Sequence, residues 1–288
     1  MQVSTTAEKL LFATLRIETT GSDGYPGVGT GFLFGVARNQ TEYGFLVTNK
    51  HVIRNAKSGK ILFTLAQDKK PVLGKTHWLH ISNFNTWWHG HSDPDIDIAI
   101  APIGDAIRTI TNQGLSVFHS FVTEDLIPDA TKIEDFDAIE DIVFLGYPND
   151  IWDDVNNLPV IRQGITATPL AVDFRGKKQF LIDASVFPGS SGSPVFILKS
   201  GSYNTRAGVV LGNRLAFLGI VSSVYYRRAQ GQIEMADAPT AMVPVPVSEE
   251  MIDLGVVVKS SALIETVDQY LKARGIGANV VPKHHGAP

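Results

Sequence analysis

Apolar runs of strand length recur along this chain between turn-forming residues, and they fall into two sets of six. The first set reads Leu10–Thr19, Gly31–Ala37, Tyr43–Thr48, Lys60–Ala66, Lys75–Ser82 and Ile96–Ile103. The second reads Ile142–Tyr147, Val160–Val172, Lys178–Val186, Ser193–Leu198, Ala216–Tyr226 and Thr240–Val247. Short runs bounded by Gly, Pro, Asn and Asp are the signature of strands. Between the sets lies an irregular, acidic stretch with Gly114, Pro128, Glu134, Asp135, Asp137, Glu140 and Asp141, which reads as a connection. Near the end, Leu263, Ile264, Val267 and Leu271 share one helical face, with Ser260 or Ser261 expected as N-cap and Gly275 as stop. The expected fold is all-β: two antiparallel six-stranded β-barrels packed together, with a C-terminal α-helix. The expected division is an N-terminal barrel over 1–110, a connection over 111–140, a second barrel over 141–250, a helical segment over 251–275 and a flexible tail over 276–288.

Composition narrows the function. With 44% hydrophobic residues in 288, the chain can bury sizeable cores. A formal charge of -4 offers no electrostatic footprint for nucleic acid or anionic lipid, so neither partner is expected. The chain has no cysteine, which excludes disulfides, thiolate metal sites and a thiol nucleophile, and fits a reducing compartment. No signal-peptide shape opens the sequence and no apolar run approaches bilayer-spanning length, so the expected location is the cytoplasm.

The densest chemical signal is Phe187-Pro188-Gly189-Ser190-Ser191-Gly192-Ser193-Pro194, between two strand-like runs. Glycines around a serine often mean only a turn. A hydrolase serine also needs a base to take its proton and backbone N–H groups aimed at the developing oxyanion. The base candidate is His51, at the end of the strand-like Phe45–Val52. The candidate for a carboxylate to orient it is Asp97, in Asp95-Ile96-Asp97-Ile98-Ala99-Ile100. Singly, His51 reads as a core histidine and Asp97 as a strand-end charge. Together, in the chain order His, Asp, Ser, they read as a hydrolytic constellation.

On these motifs the sequence resembles the chymotrypsin-like (trypsin-fold) serine protease superfamily, over about residues 10–272. Gly29-Thr30-Gly31-Phe32 is similar to its GxGF strand, Thr48–Val52 to its TAxHx block, Asp97–Ile100 to its DIAx block and Gly189–Pro194 to its GxSGxP loop. Gly219-Ile220-Val221-Ser222 is similar to the strand that pairs with substrate backbone. The resemblance implies Ser191 as nucleophile, His51 as general base and then acid, and Asp97 as holder of the imidazole tautomer. It places His51 and Asp97 in the first barrel and Ser191 in the second, with the N–H groups of Gly189 and Ser191 as the oxyanion hole. It implies a protein or peptide substrate and no cofactor, and a regulatory protein partner is compatible with it.

The resemblance also assigns a specificity pocket, with Ser185 at its base and Ser222, Ser223 and Val224 along its wall. Ser185 supplies no carboxylate to compensate a buried Lys or Arg, and Val224 stands where an open pocket has glycine. Small or medium aliphatic residues are therefore expected before the cut bond, unless Glu234 or Asp237 folds back, or Asp183 takes the place of Ser185. With Ser190 before the nucleophile and no Ile-Val-Gly-Gly start, zymogen activation is not expected. The stretch after Val247 is expected to be too short for the PDZ module of HtrA-type relatives.

Other clusters read more simply. His77, His80, His89 and His91 with Asp93 and Asp95 lack a clear ligand pattern, so no metal site is expected. Trp87-Trp88 reads as hydrophobic cover, and Asp150, Asp153 and Asp154 as a solvated loop. The competing function is a peptide-binding or scaffolding protein that keeps the cleft with little turnover, since function is decided at the site and not by the fold.

Overall fold

The computed structural model describes residues 1–81, 84–148, 151–206, 208–230 and 247–277. The first unit holds α1 (Thr6–Ala13), β1 (Thr14–Gly21), β2 (Pro26–Arg38), β3 (Thr41–Thr48), α2 (Lys50–Ile53), β4 (Ala56–Gln67), β5 (Lys70–Ile81), α3 (Phe84–Trp87), β6 (His89–Gly90) and β7 (Ala99–Pro102). Next come α4 (Gly104–Asn112), β8 (Val117–Phe118), β9 (Val122–Thr123) and α5 (Ala130–Glu134). The second unit holds β10 (Asp141–Gly146), β11 (Val160–Thr166), β12 (Gln179–Asp183), β13 (Pro194–Lys199), β14 (Ser202–Thr205), β15 (Gly208–Leu211), β16 (Arg214–Gln230) and β17 (Val247–Lys259), followed by α6 (Ser260–Lys272).

The architecture is mostly β in two units with a C-terminal helix, as expected, with nine strands among the described residues in the sheet of the first unit where six were expected. The second unit closes as a six-stranded barrel in the order β10-β11-β12-β17-β16-β13. The first is a sheet in the order β5-β4-β1-β2-β3-β7-β6, extended by β8 on β4 and by β9 on β2, the latter in parallel. Among the described residues no helix is long and apolar enough to cross a membrane.

Period-2 side-chain alternation, here buried on both faces, explains the near-continuous apolar runs. On β2, Leu33 enters the core of the first unit, while Phe32, Phe34 and Val36 enter a second core shared with the other unit and α6. On β3 the same division separates Leu46 from Phe45 and Val47. Across the seam, Val195 and Ile197 of β13 fill the barrel while Phe196 points into the shared core, as Phe217 does from β16. The Phe217 ring lies 5.4 Å from Phe32, 5.4 Å from Phe196 and 6.2 Å from Phe34, within the range of favourable aromatic pairs.

Several boundaries differ from the sequence expectation. The run Leu10–Thr19 divides: its first part is helical because Thr5 and Glu8 form a reciprocal capping box, and Leu10 and Ala13 of that helix are buried in the shared core. Val160–Val172 stays a strand only to Thr166. The N-cap of α6 is Lys259, not Ser260 or Ser261, and it makes no side-chain cap bond. Gly275 does stop the helix: at φ +74 its N–H reaches Lys272 O, while Ile276 N–H reaches Leu271 O. The hairpin β14–β15 was not anticipated. Of the expected strand Thr240–Val247 and tail 276–288, residues 240–246 and 278–288 lie outside the described residues.

Removing the Phe217 ring strips three aromatic contacts from the shared core. Phe217→Ala is expected to cost about 3–5 kcal/mol of unfolding free energy, read from urea denaturation. A loss under about 1 kcal/mol would show that these rings do not join the units.

Candidate active site

Three local structures deliver the candidate side chains. β3 ends at Thr48, and the single turn of α2, entered through the extended Asn49, carries His51 out of the sheet. Asp97 sits between Ile96 and Ile98, which are both buried in the shared core and so anchor its short loop. Ser191 lies in the turn between β12 and β13, with Gly189 at φ +90 and Gly192 at φ +92. Only glycine fits at 192, since a Cβ there would sit 1.8 Å from Thr30 O and 2.7 Å from Thr48 Oγ1.

His51 Nδ1 lies 2.6 Å from Asp97 Oδ2, and the His51 backbone N–H donates to Asp97 Oδ1 at 3.1 Å. Asn49 Nδ2 fixes the Asp97 backbone by donating to its carbonyl at 2.7 Å. Burial works against the Asp97 charge, but hydrogen bonds from the His51 ring and the Ser222 hydroxyl outweigh it and hold the carboxyl below its ordinary range. An ionised acceptor places the imidazole proton on Nδ1 and leaves Nε2 with a free lone pair.

Ser222 joins the two halves. Its Oγ donates to Asp97 Oδ2 at 2.8 Å, and its carbonyl accepts the Ser191 hydroxyl at 3.3 Å. His51, Asp97, Ser222 and Ser191 therefore form one connected group, although among the described residues Ser191 makes no hydrogen bond to His51. Around the nucleophile candidate the carbonyls are occupied. Phe187 O takes Ser190 N–H at 3.0 Å, Ser190 O takes Ser193 N–H at 3.0 Å, and Ser191 O takes Thr30 N–H at 2.9 Å. Among the described residues the N–H groups of Gly189 and Ser191 have no protein acceptor, which leaves a pair of donors for an incoming anionic oxygen.

The residues expected to line the pocket are less uniform. Ser222 is buried, with its side chain turned to Asp97 and away from a wall role, so its contribution there is backbone. Ser223 is exposed, and Ser185 is half-buried. Val224 is partly buried against the barrel core and pairs with Gly255 of β17. Asp183 is exposed at the end of β12, opposite Ile165 and Leu254. Glu234 and Asp237 lie outside the described residues. The site roles of Thr30, Asn49 and the Ser222 hydroxyl were missed. Thr30 and Ser222 stood inside quoted motifs, but nothing local marks a hydroxyl whose partner is distant in sequence.

His89 and His91 are engaged in contacts within the protein. Buried His91 accepts Asp93 N–H at Nδ1 and turns Nε2 to Glu265, 3.5 Å away, while His89 stacks on Tyr270 with centroids 4.7 Å apart. Among the described residues no group of three or more His, Asp or Glu is arranged to hold a metal ion. Trp88 is buried in the first core beside Phe84 and Trp87.

A family model for the trypsin-like peptidase domain matches residues 29–202. No curated protein matches the chain. Among solved structures, the active form of the Rv3671c protease from M. tuberculosis is similar at 16% identity and a TM-score of 0.43, covering 94% of this chain and 85% of that one. The MamO protease domain from Magnetospirillum magneticum is 12% identical, with a TM-score of 0.41 and coverage of 89% and 96%. The thermostable serine protease AL20 from an extremophilic microorganism is 16% identical, with a TM-score of 0.42 and coverage of 89% and 95%.

The depressed Asp97 ionisation makes stability pH-dependent. Its contribution is complete above the unfolded carboxylate value, 3.8, and is lost as pH falls through the lower folded value. Ser222→Ala removes a bond to the charged form and raises the folded value. The variant is therefore expected to be roughly 1–2 kcal/mol less stable near neutral pH, with the gap closing in acid. Melting temperatures across the acid range test this, and a gap that stays constant with pH would refute the assigned cause.

Proposed function

From the premise that the chain belongs to the trypsin-like peptidase domain family, we propose that it is a serine endopeptidase acting on protein or peptide substrates through an acyl-enzyme. The observation that carries this reading is the hydrogen-bonded group His51–Asp97–Ser222–Ser191, drawn from both units and flanked by two unoccupied backbone N–H donors. The absence of cysteine from the chain supports serine over thiol chemistry.

Ser191 Oγ leaves Ser222 O by rotation and attacks the scissile carbonyl carbon while His51 Nε2 takes its proton. The resulting oxyanion lies against Gly189 N–H and Ser191 N–H, and Asp97 supports the imidazolium charge. The C–N bond then breaks as His51 returns the proton to the leaving amine. Water, deprotonated by the same nitrogen, attacks the acyl carbon; the bond to Ser191 Oγ then breaks as His51 returns that proton to it, and the released acid ionises in solvent.

Fluorophosphonate labelling followed by intact mass tests this directly. Wild type is expected to take one label, Ser191→Ala none, and His51→Ala a labelling rate at least about a thousandfold lower. Wild-type turnover in Ser191→Ala would overturn the reading, and an unlabelled wild type would favour the peptide-binding alternative.

The specificity reading follows from Val224 and from the exposure of Asp183, which leave no buried carboxylate near Ser185 among the described residues. Ala, Val or Leu is expected before the cut bond, and Val224→Gly should shift preference towards larger side chains. A peptide library varied at that position measures both, and a dominant Arg or Lys preference would sink the assignment.

A further inference from the structure

We infer that Thr30 is a positioning residue that sets the peptide planes of the nucleophile loop from the opposite unit, an inference that rests on the reading of Ser191 as nucleophile. Thr30 is completely buried on β2, and each of its polar atoms is used. Its hydroxyl donates to Gly189 O at 2.8 Å, across 159 positions of sequence, and accepts Tyr147 N–H at 3.0 Å. Its N–H donates to Ser191 O at 2.9 Å, and its carbonyl is held by Thr48 Oγ1 at 2.7 Å.

The geometry gives these bonds a direction. In a trans peptide the C=O and N–H point opposite ways, so fixing a carbonyl fixes the amide joined to it. Thr30 fixes the Gly189–Ser190 plane through its hydroxyl and the Ser191–Gly192 plane through its N–H. Between them lies the plane that carries the Ser191 N–H, whose carbonyl, Ser190 O, is held by Ser193 N–H. Gly189, the other donor of the proposed oxyanion hole, has the positive φ that glycine adopts without strain and leaves as easily. The Thr30 hydroxyl is the one partner of Gly189 O among the described bonds, and it works with the Ser190 N–H bond to Phe187 O on the other side of the same peptide plane.

The bond order is also defined. Tyr147 N–H can only donate and Gly189 O can only accept, so the hydroxyl at 30 must accept from one and donate to the other. A hydroxyl fills that role, whereas a methyl group leaves a buried N–H and a buried C=O unmatched. Serine keeps the relay, while valine keeps the shape and both backbone bonds but removes it.

Thr30→Val, Thr30→Ser and wild type are compared as full chains by fluorophosphonate labelling, by kcat and KM on one peptide, and by affinity for a leucine aldehyde peptide against the matched product acid. The aldehyde adduct places an oxyanion in the hole, and the product acid reports ground-state binding. Thr30→Val is expected to lose about ten- to a hundredfold in kcat and in aldehyde affinity, with KM and product affinity within about threefold, and Thr30→Ser to recover most of the loss. Thr30→Ala replaces Thr30→Val if the latter does not fold, and failure of both to fold would overturn the inference by making Thr30 a folding residue. Equal losses in aldehyde and product affinity, or wild-type rates in Thr30→Val, would also overturn it while leaving the protease reading intact. An unlabelled wild type would overturn both.

Discussion

The strands that meet at the seam are buried on both faces, and this makes the two units one object. Phe32, Phe34, Phe45 and Val47 from one side and Leu145, Phe196, Phe217 and Ile220 from the other fill a core that belongs to neither sheet alone. Burying an aromatic or branched aliphatic side chain is worth about 1.5–3 kcal/mol, so a shared core of this size fixes relative placement far more firmly than surface contacts. The consequence is chemical. His51 and Asp97 stand on one unit and Ser222 and Ser191 on the other, and the 2.8 Å bond from Ser222 to Asp97 exists only because the seam does not slide.

Within that frame the nucleophile loop departs from the usual polar accounting. Buried backbone groups are nearly always paired, and here the carbonyls of Phe187, Gly189, Ser190 and Ser191 obey the rule. The N–H groups of Gly189 and Ser191, on half-buried residues, have no protein acceptor among the described residues, and the buried hydroxyls of Ser190 and Ser193 also lack partners there. Proteins tolerate such local violations where function needs them and offset them elsewhere. The offset is visible in Thr30, Thr48 and Tyr147, whose bonds brace the same loop.

Much of this was legible in the sequence because residue type and chemistry coincide. A glycine-flanked serine, a histidine closing an apolar strand and an aspartate opening another read as ordinary residues singly but as one candidate site in their chain order, and double-faced burial leaves long apolar runs. What was illegible depends on distant partners. Thr30 read as an ordinary strand residue and Ser222 as a pocket wall until Gly189 and Asp97 are placed beside them. The helix α1 is a different case: the Thr5–Glu8 box was available, but the apolar run after it also suits a strand, and burial of Leu10 and Ala13 in the shared core decides between them. The hairpin β14–β15 lies outside all three cores, and Val209 and Leu211 are exposed, so burial gave no pattern to read.

A chain without cysteine must hold the loops of its candidate site by means other than disulfides, and the loop before Asp97 shows how. Ser92 N–H donates to Gln269 Oε1 at 3.0 Å, and buried His91 faces Glu265, both on α6. Lys177 reaches Asp95 at 3.0 Å, and Lys178 pairs with Glu265. The exposed contacts, the Ser92–Gln269 bond among them, add little individually, whereas the His91 ring is buried and competes less with water. Arg38, largely buried, adds a second tie by gripping Glu124 at 2.6 Å and Asp268 of α6 at 3.0 Å. The C-terminal helix, packed on the shared core through Ala262, Leu263, Val267 and Leu271, therefore anchors the segment that presents the acid. The two halves of the candidate site are thus braced from opposite directions, Asp97 by a helix that follows the second unit and Ser191 by a strand of the first.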